Sequence, residues 1–113
     1  MNLGISLGLD ASTLAAMINS STGKCWPSEV NNPVPGVIAT APASRGYAGG
    51  FGVSLMKKDL GLAIEAAERV GVSMEKGLGA KARSIYDSVE ANESCKGKDF
   101  SVVYRWLTGG REG

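Results

Sequence analysis

The chain has 113 residues, 12 of them basic and 11 acidic, a formal net charge of +1 and no histidine. That balance gives no electrostatic footing for nucleic acid or an anionic membrane surface, and no apolar run approaches the roughly 20 residues of a spanning helix. Without histidine, imidazole acid–base chemistry is excluded within the chain and a zinc site would have to rest on carboxylates, so no metal is expected.

One domain with a modest core is the expectation at this length. Cys25 and Cys95 lie far apart and in no CxxC pattern, so they read as free thiols. Residues 1–9 read as the end of a helix rather than its beginning. Leu3, Ile5 and Leu7 are apolar, only Asn2 offers a cap, and Gly8 stops the segment. The chain is therefore expected to start partway through an element. Its opening, MNLGISLGLD, has neither the basic n-region of a secretory signal nor the Arg-rich pattern of a transit peptide.

Asp10 is the predicted N-cap of the next helix. Leu14, Met17 and Ile18 recur there at helical spacing, with Ala11 and Ala15 on the same side. Asn19-Ser20-Ser21-Thr22-Gly23 ends it as a polar terminus whose simplest role is capping. Trp26-Pro27 opens a short helical turn within residues 24–31. Asn32 to Gly50 then runs without a sustained period. That is long for a loop in a compact domain, which raises a functional or interface role. Its glycine-rich end, GYAGGFG at 46–52, could cradle a phosphate, but no strand precedes it and a flexible loop is the plainer reading.

Residues 54–70 form the strongest predicted helix, with one apolar stripe of Leu55, Leu62, Ala63, Ala66, Ala67 and Val70 and a stop at Gly71. Its second turn carries Lys57, Lys58 and Asp59, with Gly61 just after. Glycine inside a helix costs about 1 kcal/mol against alanine, so Gly61 marks a close approach or a helix end. Asp59 flanks the stripe and Lys58 reaches outward past Gly61. On periodicity alone the pair is a solvated charged face with a rim ion pair worth at most about 1 kcal/mol. Phe51, at the helix entrance, reads as a staple against the core. Ser73 is the predicted cap of a helix running to about Ala91 with Leu78, Ala82, Ile85 and Val89 inward. Asp99 caps a last short helix, with Phe100, Val103, Trp106 and Leu107 inward, stopped by Gly109-Gly110. Trp26 and Trp106 read as core or interface anchors. No segment has a useful β-period, so the fold class is all-α, a bundle of about five helices.

Taken in order, GLDASTLAAMINSSTGKCW, NNPVPGV, GGFGVSLMKKDLGLA and KDFSVVYRWL resemble the C-terminal helical domain of the 3-hydroxyisobutyrate dehydrogenases. These belong to the β-hydroxyacid dehydrogenase family and share the helical domain type of 6-phosphogluconate dehydrogenase. The match covers essentially the whole chain, 1–113. GGFGVSLMKKDLGLA is its most specific part, and SSTGKCW followed by NPVPGV points to the mitochondrial animal-type enzymes.

The resemblance implies an N-terminal Rossmann domain that binds NAD, with the glycine-rich cofactor turn, the catalytic lysine and a substrate-binding segment all upstream of this chain. The chain alone would not catalyse hydride transfer. It implies oxidation of 3-hydroxyisobutyrate to methylmalonate semialdehyde in valine breakdown, a homo-oligomer (dimer or tetramer), and the mitochondrial matrix. By motif position, Lys58 corresponds to the lysine that contacts the nicotinamide cofactor, Asp59 to an auxiliary catalytic aspartate, and Phe51 to the aromatic beside the substrate pocket. The other reading is a non-enzymatic dimerisation or interaction module built on the same fold.

Overall fold

The computed structural model describes residues 1–74 and 77–110. Its helices are α1 (Asn2–Ser6), α2 (Ala11–Asn19), α3 (Trp26–Glu29), α4 (Val53–Arg69), α5 (Leu78–Ala91) and α6 (Val103–Leu107), with 3-10 turns at Pro42–Arg45 and Phe100–Val102. The all-α expectation holds, with one helix more than the pattern suggested. Among the described residues there is no strand. A single antiparallel bridge pairs Gly52 with Asp99, and no helix is long and apolar enough to cross a membrane.

The stop of α1 and the cap of α2 follow the sequence. Leu9 N–H reaches Gly4 O at 3.0 Å and Gly8 N–H reaches Ile5 O at 2.9 Å, so α1 closes with the paired bonds of a glycine stop. Asp10 accepts from the Thr13 backbone and hydroxyl, both at 2.8 Å. These bonds, the backbone one first, hold its carboxyl below the usual carboxylate range. The two cysteines are free, Cys25 exposed and Cys95 buried.

The core surrounds the segment that carries no periodic signal. Ala43, Tyr47, Val53, Val89, Cys95 and Val102 form one buried cluster, with Ile85, Tyr86, Val103 and Trp106 packed around it. Burying one such valine contributes about 1.5–3 kcal/mol. Residues 32–50 are therefore folded inward as well as irregular: Val34, Ala41 and Ala43 are buried, and Tyr47 adopts a left-handed φ of 62°. The Tyr47 hydroxyl donates to Pro33 O at 2.9 Å, which ties the two ends of the segment together.

Three expectations about facing are corrected. α4 packs on α5 through Val53, Met56, Leu60, Gly61, Ile64 and Ala67, all buried or half-buried. Most of the predicted stripe lies on the other side: Leu55, Leu62 and Val70 are exposed, at 46, 54 and 75 %, and of its six residues Ala67 alone turns toward α5. The helix carries two apolar stripes about half a turn apart, and period alone does not choose between them. Second, α5 begins at Leu78 with Gly77 as its cap, not at Ser73; Glu75 and Lys76, within the predicted helix, lie outside the described residues. Gly77 and Gly79 weaken helix formation there, and Leu78 is 90 % exposed. Third, Asp99 does cap the last segment, through Ser101 N–H, but that segment starts as a 3-10 turn. It advances about 120° per residue instead of 100°, so Val102 and Tyr104 turn inward and Leu107 turns out.

Candidate functional site

α4 sorts its charged turn by angle. Lys57 lies toward the core side and spans to α5, where its Nζ meets Glu90 Oε2 at 2.8 Å and Asp87 Oδ1 at 3.2 Å. The Glu90 bond, then the Asp87 bond, raise its pKa above the usual lysine value. Lys57 is thus a strut between helices. Lys58, one residue on and turned by about 100°, is exposed and, among the described residues, pairs only with its neighbour Asp59, Nζ to Oδ1 at 2.9 Å. With both side chains more than half exposed, that pair is worth at most about 1 kcal/mol, so either group can be drawn to a ligand at small cost.

Between the core face and the outer apolar face of α4 runs a strip formed by Ser54, Lys58, Gly61 and Glu65. With Lys57, Glu90 and Arg83 it lines a groove of about 380 Å³ against α5. Arg83 lies across the open backbone of Gly61: a Cβ added there would sit 3.1 Å from its Nη1 and 3.3 Å from its Cζ. Gly61 therefore permits a close approach, by an arginine of the facing helix. Both carboxylates on the groove are engaged elsewhere, Glu65 with Arg69 at 3.5 Å and Glu90 with Lys57.

A second cavity of about 240 Å³ opens at the entrance to α4, walled by Trp26, Val30 and Phe51 with Asn31, Arg45 and Asp99 among its polar lining. Phe51 is 38 % exposed and meets Phe100 edge-on, ring centres 6.3 Å apart. Its backbone is pinned on both sides: Phe51 N–H donates to Asp99 Oδ2 at 2.8 Å, and its carbonyl accepts from Phe100 N–H at 2.8 Å. Arg45 is turned to backbone carbonyls of Ala48 and Thr40, each at 2.8 Å.

The three sequence-predicted residues are thus divided. Lys58 lines the α4–α5 groove, Phe51 lines the cavity at the helix entrance, and Asp59 lines neither, meeting the groove only through Lys58. Asn19 and Ser20 serve local structure: Asn19 Nδ2 donates to Ser28 O, and Ser20 Oγ donates back to Met17 O. Sequence reasoning missed Arg83 as a groove residue, and it left Trp26 as a generic anchor although Trp26 is 57 % exposed beside Phe51. The unexplained mid-helix Gly61 was the one available signal for Arg83.

The family model described as "NAD-binding of NADP-dependent 3-hydroxyisobutyrate dehydrogenase" matches residues 1–107. The chain belongs to this family. It is 50 % identical over 107 residues to a probable mitochondrial 3-hydroxyisobutyrate dehydrogenase of Dictyostelium discoideum, covering 95 % of this chain and 32 % of that protein. Against the mitochondrial 3-hydroxyisobutyrate dehydrogenase of Drosophila melanogaster it is 51 % identical over 104 residues, 92 % of this chain and 31 % of the relative. A solved structure titled "Mycobacterium tuberculosis 3-Hydroxyisobutyrate dehydrogenase (MtHIBADH) + L-serine" superposes with a TM-score of 0.83 at 40 % identity, over 93 % of this chain and 35 % of that one. The chain thus spans about a third of the length of the relatives it matches. The likeness fixes the helical fold and the family.

Proposed function

We propose that this chain is the C-terminal domain, residues 1–113, of an NAD-dependent 3-hydroxyisobutyrate dehydrogenase. In this reading an N-terminal Rossmann domain in cis supplies the cofactor turn, the catalytic lysine lies upstream on the interdomain helix, and this domain closes over the bound reactants. It does not catalyse by itself. The observation that carries the proposal is the position of Lys58, exposed on the α4–α5 groove and paired among the described residues with its neighbour alone, in a chain about 50 % identical over nearly its whole length to named dehydrogenases.

The groove suits a phosphate-bearing dinucleotide by its donors: the Lys58 ammonium and the Ser54 hydroxyl on one helix strip, with Leu62 as an apolar neighbour. When bound, NAD would supply the hydride acceptor for oxidation of the alcohol carbon of 3-hydroxyisobutyrate to methylmalonate semialdehyde, the hydroxyl proton passing to the upstream catalytic lysine. Lys58 holds the cofactor from this side, Asp59 orients the Lys58 ammonium, and Phe51, with Trp26 opposite, keeps water from the substrate's apolar end. The exposed leucines at α1 and its C-terminal end and on the outer face of α4, Leu3, Leu7 and Leu55, form the surfaces on which the Rossmann domain and a second protomer dock. The mitochondrial names of the relatives support a matrix location.

The same exposed leucines favour the second reading, an interaction module without chemistry. Intact mass spectrometry of the native protein separates the two: a product about 150–200 residues longer at its N-terminus supports the enzyme domain, and an 11.7 kDa product supports the module. In the longer protein, Lys58→Ala is expected to weaken cofactor affinity with little change in melting temperature. An unchanged affinity for NAD would sink the assignment.

A further inference from the structure

A glycine in the third turn of a 17-residue helix gives up helix stability, and here the cause is visible. The guanidinium of Arg83, from α5, lies where a side chain at position 61 would sit. Arg83 is half-buried, and among the described residues no acceptor or carboxylate is bonded to it. Glu65 and Glu90, the two carboxylates on the groove, are paired with Arg69 and Lys57. A half-buried guanidinium with no acceptor bonded to it keeps its donors available, and its planar fork is suited to a bidentate oxyanion.

We propose that Arg83 is a second anion-holding residue of the groove, on the wall opposite Lys58, and that Gly61 is small so that the guanidinium can lie there. The ligand group is an oxyanion of a bound reactant: a phosphate of the dinucleotide or the carboxylate of the hydroxy acid. The inference rests on the reading that this groove receives the reactants, and it adds a residue and a glycine that the motif match does not assign.

The test uses the native protein that carries this domain, with Lys58→Ala, Arg83→Gln, Arg83→Lys and Gly61→Ala. The readouts are calorimetric Kd for NAD without hydroxy acid, KM for both reactants, and melting temperature. Arg83→Gln is expected to weaken one reactant roughly tenfold, as loss of a charged hydrogen bond does, with Arg83→Lys restoring part of it. Gly61→Ala is expected to weaken the same reactant while melting at the same temperature or higher, because alanine favours the helix and only the flexible guanidinium must move. A raised Kd for NAD identifies the phosphate as the oxyanion, and a raised KM for the hydroxy acid alone identifies the carboxylate. If Lys58→Ala weakens NAD while Arg83→Gln and Gly61→Ala change neither reactant, the Arg83 proposal is overturned and the cofactor reading stands. If none of the variants changes binding, both fall.

Discussion

The carboxylate of Asp99 accepts the backbone N–H of Phe51 at 2.8 Å across 48 residues of chain. The same carboxylate accepts from Ser101 N–H at 3.0 Å, from the Ser101 hydroxyl, and from Asn31 Nδ2 at 3.2 Å, and Asp99 is 1 % exposed. The glycine-rich segment before α4 thus wraps an anion that belongs to the protein itself. Asp99→Ala leaves buried donors on Phe51, Ser101 and Asn31 without their acceptor, at about 1–3 kcal/mol for a single unmet group. The expected loss is at least about 2 kcal/mol in urea unfolding. A loss below about 1 kcal/mol would mean that water replaces the carboxylate and that the network is not a stabilising element.

Gly50 makes that wrapping possible. A Cβ there would fall 2.2 Å from Asp99 Oδ2 and 2.8 Å from Pro42 Cγ, and φ is +71°. Gly71, at the end of α4, has a similar φ of +77° with nothing within 4 Å. Gly71→Ala should therefore cost only the left-handed strain, about 1–2 kcal/mol. Gly50→Ala should cost at least about 1 kcal/mol more, because the carboxylate or the proline must move. Equal losses in chemical denaturation would show that the close approach to Asp99 relaxes freely.

Three caps and stops were legible because each is a local pattern: Asp10 three residues before Thr13, Gly8 after α1, and Asp99 two residues before Ser101 cap or stop their segments as expected, whereas the predicted cap at Ser73 gives way to Gly77. What failed to read out is non-local. The choice between two apolar stripes on α4 depends on where α5 lies. The core role of residues 32–50 depends on Tyr47 taking a left-handed conformation, which no period announces. The site shows the same division. Lys58 stood out through its motif, and Arg83 stayed hidden because its only trace is a missing side chain 22 residues away. Asn31 and Asp99 meet across 68 residues with no shared pattern in the sequence.

Lys57 and Lys58 are adjacent, yet they should respond oppositely to truncation. Lys57 joins α4 to α5 through Glu90 and Asp87, whereas Lys58 pairs with the next residue along its own helix. Lys57→Met and Glu90→Gln should each lower the melting temperature, and the double variant should lose less than the sum of the two. Lys58→Met should leave the melting temperature nearly unchanged. A larger loss at Lys58 than at Lys57 would contradict the strut assignment.

Tyr86 contributes to the loss of stability at alkaline pH. Its hydroxyl donates to Phe100 O at 3.3 Å, and burial first, then the charge of Asp99, push its pKa up from 10.0 to about 12. The folded state therefore favours the protonated phenol. The stabilisation is fully present below the unfolded pKa of about 10 and is lost as pH rises through about 12, since the unfolded chain releases this proton first. The raised pKa of Lys57 acts in the same direction, so the informative quantity is the difference between Tyr86→Phe and the parent protein. At neutral pH the variant should be slightly less stable through loss of the bond to Phe100, and between about pH 10 and 12 it should lose stability less steeply. Parallel curves for the two proteins in urea midpoint against pH would show that Tyr86 ionises without resistance from the fold.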